Sequence, residues 1–237
     1  MTVKEDITAK VLTIKDFFKD AVFEIPPYQR SYSWTEQELD KLFDDLFESY
    51  TDNTNDLYLM GAITTISEDG SKYEILDGQQ RITTISLIIN YIRNNISDKH
   101  YKVKADCENI VLVNENTTRV SQSRNADKLS FRYTILEEGA KRSNKIIDIY
   151  ERIKNNDSLN DFGFIKFLLT KVAFVLVNTT NVESAYQIFE TLNGRSKDLE
   201  KLDLVRNKLF RSMQKTDVDD ACKTWDTLYA KAENIRN

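Results

Sequence analysis

The sequence predicts an α+β fold in which a core of helix and β-hairpin, residues 1–97, is followed by a mainly helical lobe, residues 98–237. Three observations carry this prediction. Two β-prone runs, 57–67 and 72–76, flank a turn-forming Glu68-Asp69-Gly70-Ser71. Apolar residues recur at helical spacing from Leu39 to Tyr50. After residue 97, helical patterns such as KIIDIYERIK and FGFIKFLLTK surround a single apolar strand, VAFVLVN. With 41% hydrophobic residues, 11% aromatic, 6 Gly and 2 Pro, the chain has the composition of a packed, helix-rich globule.

Each element has a local reason. A short helix is expected near Thr13 to Lys19. AVFEIPPYQRSYSW holds both prolines, and the residue before a proline is pushed out of the helical region, so this stretch is expected to be an extended ribbon. Thr35 and Glu38 form a capping-box pattern, which predicts a helix burying Leu39, Leu42, Phe43, Leu46, Phe47 and Tyr50. The hairpin follows. Next, ITTISLIINYIRNNI places Ile82, Ile85, Ile88 or Ile89, Ile92 and Ile96 near helical spacing, which predicts a buried helix despite its many β-branched residues. Residues 105–135 carry mixed charge and read as an insertion or a connector between lobes. Two helices close the chain.

Charge and cysteine content narrow the function. The net charge of −5 argues against DNA coating by the whole surface. Residues 1–60 carry net −7 and residues 193–215 net +4, which leaves either a localised basic face or ordinary solvated helix charge. The first twenty residues lack both a signal-peptide apolar core and a membrane span, so no membrane association and a cytoplasmic location are expected. Cys107 and Cys222 do not make a disulfide framework.

The chemistry concentrates after the second hairpin strand. A strand ending at Leu76, a loop with Gly78 and a helix starting near Gln80 aim unpaired backbone N–H groups at whatever lies above them, and an anion suits that position. Gly78 permits close approach, and Arg81 offers a forked donor to phosphate oxygens. Thr83 and Thr84 add hydroxyls, while Gln79 and Gln80 can orient water or a base edge. Asp77 can hold a hydrated Mg²⁺ or position a water. The structural alternative has Asp77 capping the helix, Gly78 serving the turn and Arg81 pairing with the acidic helix 35–50. No GxxxxGK[ST] segment exists, which excludes a P-loop.

A second constellation is Pro26, Pro27, Tyr28, Gln29, Arg30, Tyr32 and Trp34. Alternation along an extended ribbon puts Tyr28, Arg30, Tyr32 and Trp34 on one side, where aromatic faces and an arginine suit bases and phosphates. The alternative is an edge strand with its aromatics in the core and Arg30 at the surface. The third, ETLNGRSKDLEKLDLVRNKLF, sets a core stripe of Leu199, Leu202, Val205, Leu209 and Met213 against Arg195, Lys197, Lys201, Arg206, Lys208 and Arg211. Its Asn193-Gly194-Arg195 loop either reaches a nucleotide or DNA phosphate or simply ends a helix. His100 is the only histidine and stands in a polar stretch, so neither a His-centred metal nuclease nor a Ser-His-Asp arrangement can be assembled.

In this order, IPPYQRSYSW, LYLMGAITTI, YEILDGQQRITTI and IFETLNGRSKDLEKLDLVRNKLF resemble the GmrS-type domain, the domain-of-unknown-function family 262. The resemblance spans most of the chain and implies a ParB/sulfiredoxin-like core followed by a helical lobe. It also implies a nucleotide-hydrolysing module of modification-dependent restriction and anti-phage systems. By that resemblance Asp77, Gln80 and Arg81 would act in hydrolysis of an NTP, GTP or another, bound with Mg²⁺, with Asp77 as the metal residue. Gly78, Gln79, Thr83, Thr84 and Arg195 would bind the nucleotide. Pro27, Tyr28, Gln29, Arg30, Tyr32 and Trp34, with Lys208, would border the pocket or sense modified or phosphorothioated DNA. Such proteins usually carry an HNH nuclease domain after this one. The chain ends at Asn237 without it, so a partner nuclease or a longer protein is expected, and a homodimer is allowed. The family usually has leucine where Ile82 and Ile85 stand, and glycine where Ser196 follows Arg195, so the later loop takes its own turn. The competing reading is a non-enzymatic module whose loop grips a DNA phosphate.

Overall fold

The computed structural model describes residues 7–52, 56–67, 69–181 and residues 184, 221, 224, 225 and 227. The first element is one that residue pattern did not announce: Ile7–Thr13 forms strand β1. Thr13 ends it and caps helix α1 (Ile14–Phe17), its hydroxyl oxygen accepting from the Asp16 amide at 3.2 Å. This short helix falls where Thr13 to Lys19 predicted one.

The proline segment is not one continuous ribbon. Val22–Ile25 forms strand β2, after which Pro26 to Gln29 turn, the Gln29 amide donating to the Pro26 carbonyl at 3.1 Å. The expected alternation therefore fails: Tyr28, Gln29 and Tyr32 are all buried, whereas Arg30 is exposed. Helix α2 (Glu36–Thr51) opens as predicted, with the Glu38 carboxylate accepting from the Thr35 amide at 2.8 Å. It buries Leu39, Leu42, Phe43 and Leu46, but Phe47, expected in that stripe, is 43% exposed.

Strands β3 (Tyr58–Ile66) and β4 (Lys72–Asp77) pair antiparallel as the predicted hairpin. The chain passes from β4 through Gly78 into helix α3 (Gln79–Asn95), the predicted isoleucine helix, in which Ile82, Ile85, Ile88, Ile89 and Ile92 are all buried. The stretch 105–135, read as an insertion or connector, falls across helix α4 (Tyr101–Val111), a small hairpin of β5 (Leu112–Asn114) and β6 (Thr117–Thr118), strand β7 (Val120–Gln122) and helix α5 (Asn125–Leu136). Helices α6 (Lys145–Lys154) and α7 (Phe162–Thr170) lead into strand β8 (Val172–Thr179).

Six strands make one mixed sheet in the order β1-β8-β3-β4-β2-β7. β8 pairs antiparallel with β1 and parallel with β3, and its near-continuous apolar run suits an interior strand covered on both faces. β2 pairs in parallel with both β4 and β7, so the stretch read as an insertion or connector supplies a sheet edge. The fold is thus mixed α/β, with seven α-helices among the described residues, and its sheet draws strands from both sides of residue 97. The core runs through α3, whose flanks meet α4, α5 and α6. Beside it an aromatic group forms: Phe17 stacks on Phe23 with centroids 4.6 Å apart and meets Phe174 at 4.9 Å. No helix among the described residues is long and apolar enough to cross a membrane.

Candidate phosphate-binding site

The turn from β4 into α3 is sharp because Gly78 sits at φ 92°, ψ 10°, a conformation that residues with a Cβ rarely adopt. Space makes the same demand, since a Cβ there would collide with Ile63 and lie 3.3 Å from the Ala62 carbonyl oxygen. The turn leaves the first helical amides, Gln79 to Arg81, without intrahelical acceptors. Among the described residues no side chain caps them, and the first turn holds no acidic residue; the ladder starts with the Ile82 amide donating to the Gly78 carbonyl at 3.1 Å. A seventeen-residue helix thus begins, among the described residues, in uncapped donors at its positive pole.

Asp77 and Arg81 flank this end. The Arg81 guanidinium donates through Nη1 to the Met60 carbonyl at 3.2 Å and lies 3.4 Å through Nη2 from Asp77 Oδ2. The two side chains are 26% and 29% exposed, so the pair is open to solvent and loosely held. Gly61, at φ 106°, makes room for it, because a Cβ there would strike the guanidinium. Asp77 does not cap the helix, and Arg81 pairs with Asp77 rather than with α2.

The remaining loop residues turn inward. Gln80 Oε1 accepts from the amides of Ser33 at 2.9 Å and Trp34 at 3.3 Å, and its Nε2 donates to the Ser31 carbonyl at 3.4 Å. Thr84 donates to the Gln80 carbonyl at 2.9 Å and shares a hydrogen bond with the Tyr32 hydroxyl at 2.7 Å. Thr83 accepts from Gln122 Nε2 at 2.9 Å. Gln79 is buried beside them. Gln29 donates to the Leu76 carbonyl at 2.8 Å, tying the proline turn to the end of β4. In this arrangement Gln80, Thr84 and Gln29 join the loop to the segment 28–34, and Thr83 joins it to β7.

That segment has further anchors. Tyr28 donates to Glu74 and packs against Ala221 and Trp225. The Tyr32 amide donates to Asp127 Oδ2 at 2.9 Å, and burial raises the Tyr32 hydroxyl well above its ordinary value. Asp127 and Gln122 are positioning residues that residue pattern did not single out, because each meets its partner across many residues of chain. Pro27 and Trp34 are half-buried. Arg195 and Lys208, with the stripe from Leu199 to Met213, lie outside the described residues. His100 stacks on Phe162 with ring centroids 3.7 Å apart, far in sequence from the loop.

A cleft of about 240 Å³ opens beside Arg81, walled by Trp34, Tyr58, Met60 and, from α2, Glu38, Lys41 and Asp45. It brings Trp34 of the proline segment and Arg81 of the loop to one space. Hydrogen bonds from the Thr35 hydroxyl and amide hold Glu38 below the usual carboxylate range, and burial with the neighbouring Asp45 charge raises the Tyr58 hydroxyl. The α2 wall was expected as core helix or as an acidic partner of Arg81, not as the side of a cleft; its Glu38, Lys41 and Asp45 follow one another at helical spacing on the side next to the buried stripe.

No curated protein matches the chain. The family model for the N-terminal domain of GmrSD restriction endonuclease matches residues 14–210, from α1 past the last described strand. That match covers the turn, the proline segment and the cleft together. The chain therefore belongs to the GmrSD N-terminal domain family, and its role lies in a restriction system.

Proposed function

We propose that the chain binds the phosphates of an NTP, GTP or another, at the Asp77–Arg81 turn and hydrolyses it, as the sensor module of a restriction system that acts on DNA through a nuclease domain of HNH type. The observation that carries this reading is the positive end of α3, uncapped among the described residues, with the Asp77 carboxylate and the Arg81 guanidinium 3.4 Å apart beside it. A terminal phosphate takes the amides of Gln79 to Arg81, and Arg81 turns from Asp77 to the phosphate oxygens. Asp77 fits Mg²⁺, which takes one or two carboxylates with phosphate oxygens, and the ion supplies charge neutralisation. The cleft at Trp34 and Tyr58 has room for a base or sugar. Gln80 acts by fixing residues 31–34 against the turn, so nucleotide occupancy is coupled to the segment Pro27–Trp34 that faces DNA. We further infer a ParB/sulfiredoxin-like character for the β3-β4-α3 core and a cytoplasmic setting.

The second reading, a non-enzymatic module gripping a DNA phosphate, draws on the inward turn of Gln80, Thr83 and Thr84, which leaves few side chains to act on a water. Phosphate release with Mg²⁺ and each of the four NTPs, with and without DNA, separates the two. Release that disappears in Asp77→Ala supports hydrolysis; DNA binding without any release supports the second reading.

A further inference from the structure

The other end of α3 borders a cavity of about 590 Å³, larger than the cleft at Arg81. It lies roughly 15–20 Å farther along the helix axis, counted from the residues between Arg81 and its lining. Three helices meet there: α3 and α5 arrive by their C-terminal ends, at Asn95 and Leu136, and α6 lies along the cavity from Ile147 to its own C-terminal end at Lys154. Each end carries carbonyls without intrahelical donors and the negative pole of its helix. The protein's own donors are already drawn to them, with the Arg93 guanidinium on the Ile135 carbonyl at 3.2 Å and the Tyr91 hydroxyl on the Lys154 carbonyl at 3.4 Å.

The walls suit a cation. Tyr91, Tyr133 and Tyr150 all line the cavity, one from each helix. A cation already sits on one of these rings, since Lys154 Nζ lies 5.0 Å from the Tyr150 centroid. Glu151 is shared by Lys141 at 2.7 Å and Lys154 at 3.2 Å. Glu137 lines the cavity with no ion-pair partner among the described residues. Behind the tyrosines Asn90 is fully buried; its Nδ2 donates to the Thr134 carbonyl and the Tyr150 hydroxyl, while its Oδ1 has no partner among the described residues.

We propose that this three-helix cavity binds a small organic cation carrying an ammonium group, held between the tyrosine rings, the Glu137 carboxylate and the converging helix ends. It is separate from the phosphate site, and its failure would leave that reading untouched.

Calorimetric titration of the full chain with spermidine and with tetramethylammonium tests the site. Saturable binding of at least one is expected, weakened about tenfold or more by Glu137→Gln and by Tyr133→Ala. Because Glu137 is exposed, Glu137→Gln removes charge without disturbing packing, so the test holds even if Tyr133→Ala fails to fold. Asp44→Asn, on the exposed face of α2, should leave the affinity unchanged. Absence of binding by both cations, indifference to Glu137→Gln, or equal weakening by Asp44→Asn overturns the proposal.

Discussion

The side-chain oxygen of Gln80 accepts hydrogen bonds from the backbone amides of Ser33 and Trp34, which makes the turn at the head of α3 and the aromatic segment one unit. A residue that pattern placed beside a reacting phosphate is thus a brace between two parts of the site. Replacing it with an apolar side chain of similar size leaves those amides without their acceptor. Gln80→Leu should destabilise the chain by roughly 1–3 kcal/mol in urea unfolding. Weakened nucleotide binding should accompany it, and an unchanged unfolding midpoint would show that the brace contributes nothing.

Gly78→Ala places a Cβ at φ 92° and against Ile63, so strain and steric conflict act together. A cost of about 1–3 kcal/mol is expected. Gly139→Ala serves as the comparison, since its φ of 87° is equally positive but open space surrounds it. The Gly78 variant should lose more stability than the Gly139 variant in parallel thermal melts, by the amount due to crowding alone.

Arg81→Ala removes the guanidinium from a site that is part exposed, so the fold should survive with a change of about 1 kcal/mol or less. Nucleotide affinity should fall below detection in equilibrium dialysis. Arg81→Lys should restore only part of it, because a lysine cannot donate as a fork to two oxygens.

Tyr32 is an acid whose burial raises its folded value above the ordinary tyrosine pKa of roughly 10. The neutral form is favoured in the folded chain, so this contribution is fully present below the unfolded value and is lost as pH rises toward the folded one. Alkaline unfolding followed by circular dichroism should therefore depend less steeply on pH above about 10 in Tyr32→Phe than in the parent. Identical slopes would mean that Tyr32 ionises freely in the folded protein.

Cys107 is buried, and that burial, with Asp106 adding a smaller push, raises its thiol to about 12. It should be inert as a nucleophile. In a Cys222→Ser background, a disulfide-exchange reagent at neutral pH should release no chromophore until denaturant is added, then one equivalent. Rapid labelling of the folded chain would place Cys107 at the surface.

Much of the fold was legible because its signals are local. Thr35 and Glu38 lie within one helical turn, so a capping box can be read without a partner elsewhere, and the β3-β4 hairpin follows from two β-prone runs around Asp69-Gly70-Ser71. The glycine turn into an isoleucine-rich helix is equally local, and so was the expectation that Asp77 and Arg81 flank its start. Strand β1 was not legible, because an edge strand with mostly exposed residues carries little apolar alternation.

The sequence by itself determined where α2, the hairpin, Gly78 and α3 lie, since backbone conformation and helical periodicity depend on neighbours a few residues apart. It also determined the family, through four motifs in order. Only the tertiary structure decided which polar groups of the candidate site stay open to solvent and which turn to the protein. Gln80 meets Ser33, Thr83 meets Gln122, and Tyr32 meets Thr84 and Asp127 across 39 to 95 residues of chain. A buried hydroxyl or amide takes whichever partner the packed sheet brings within reach, and that choice is made by the order β1-β8-β3-β4-β2-β7 rather than by any local pattern.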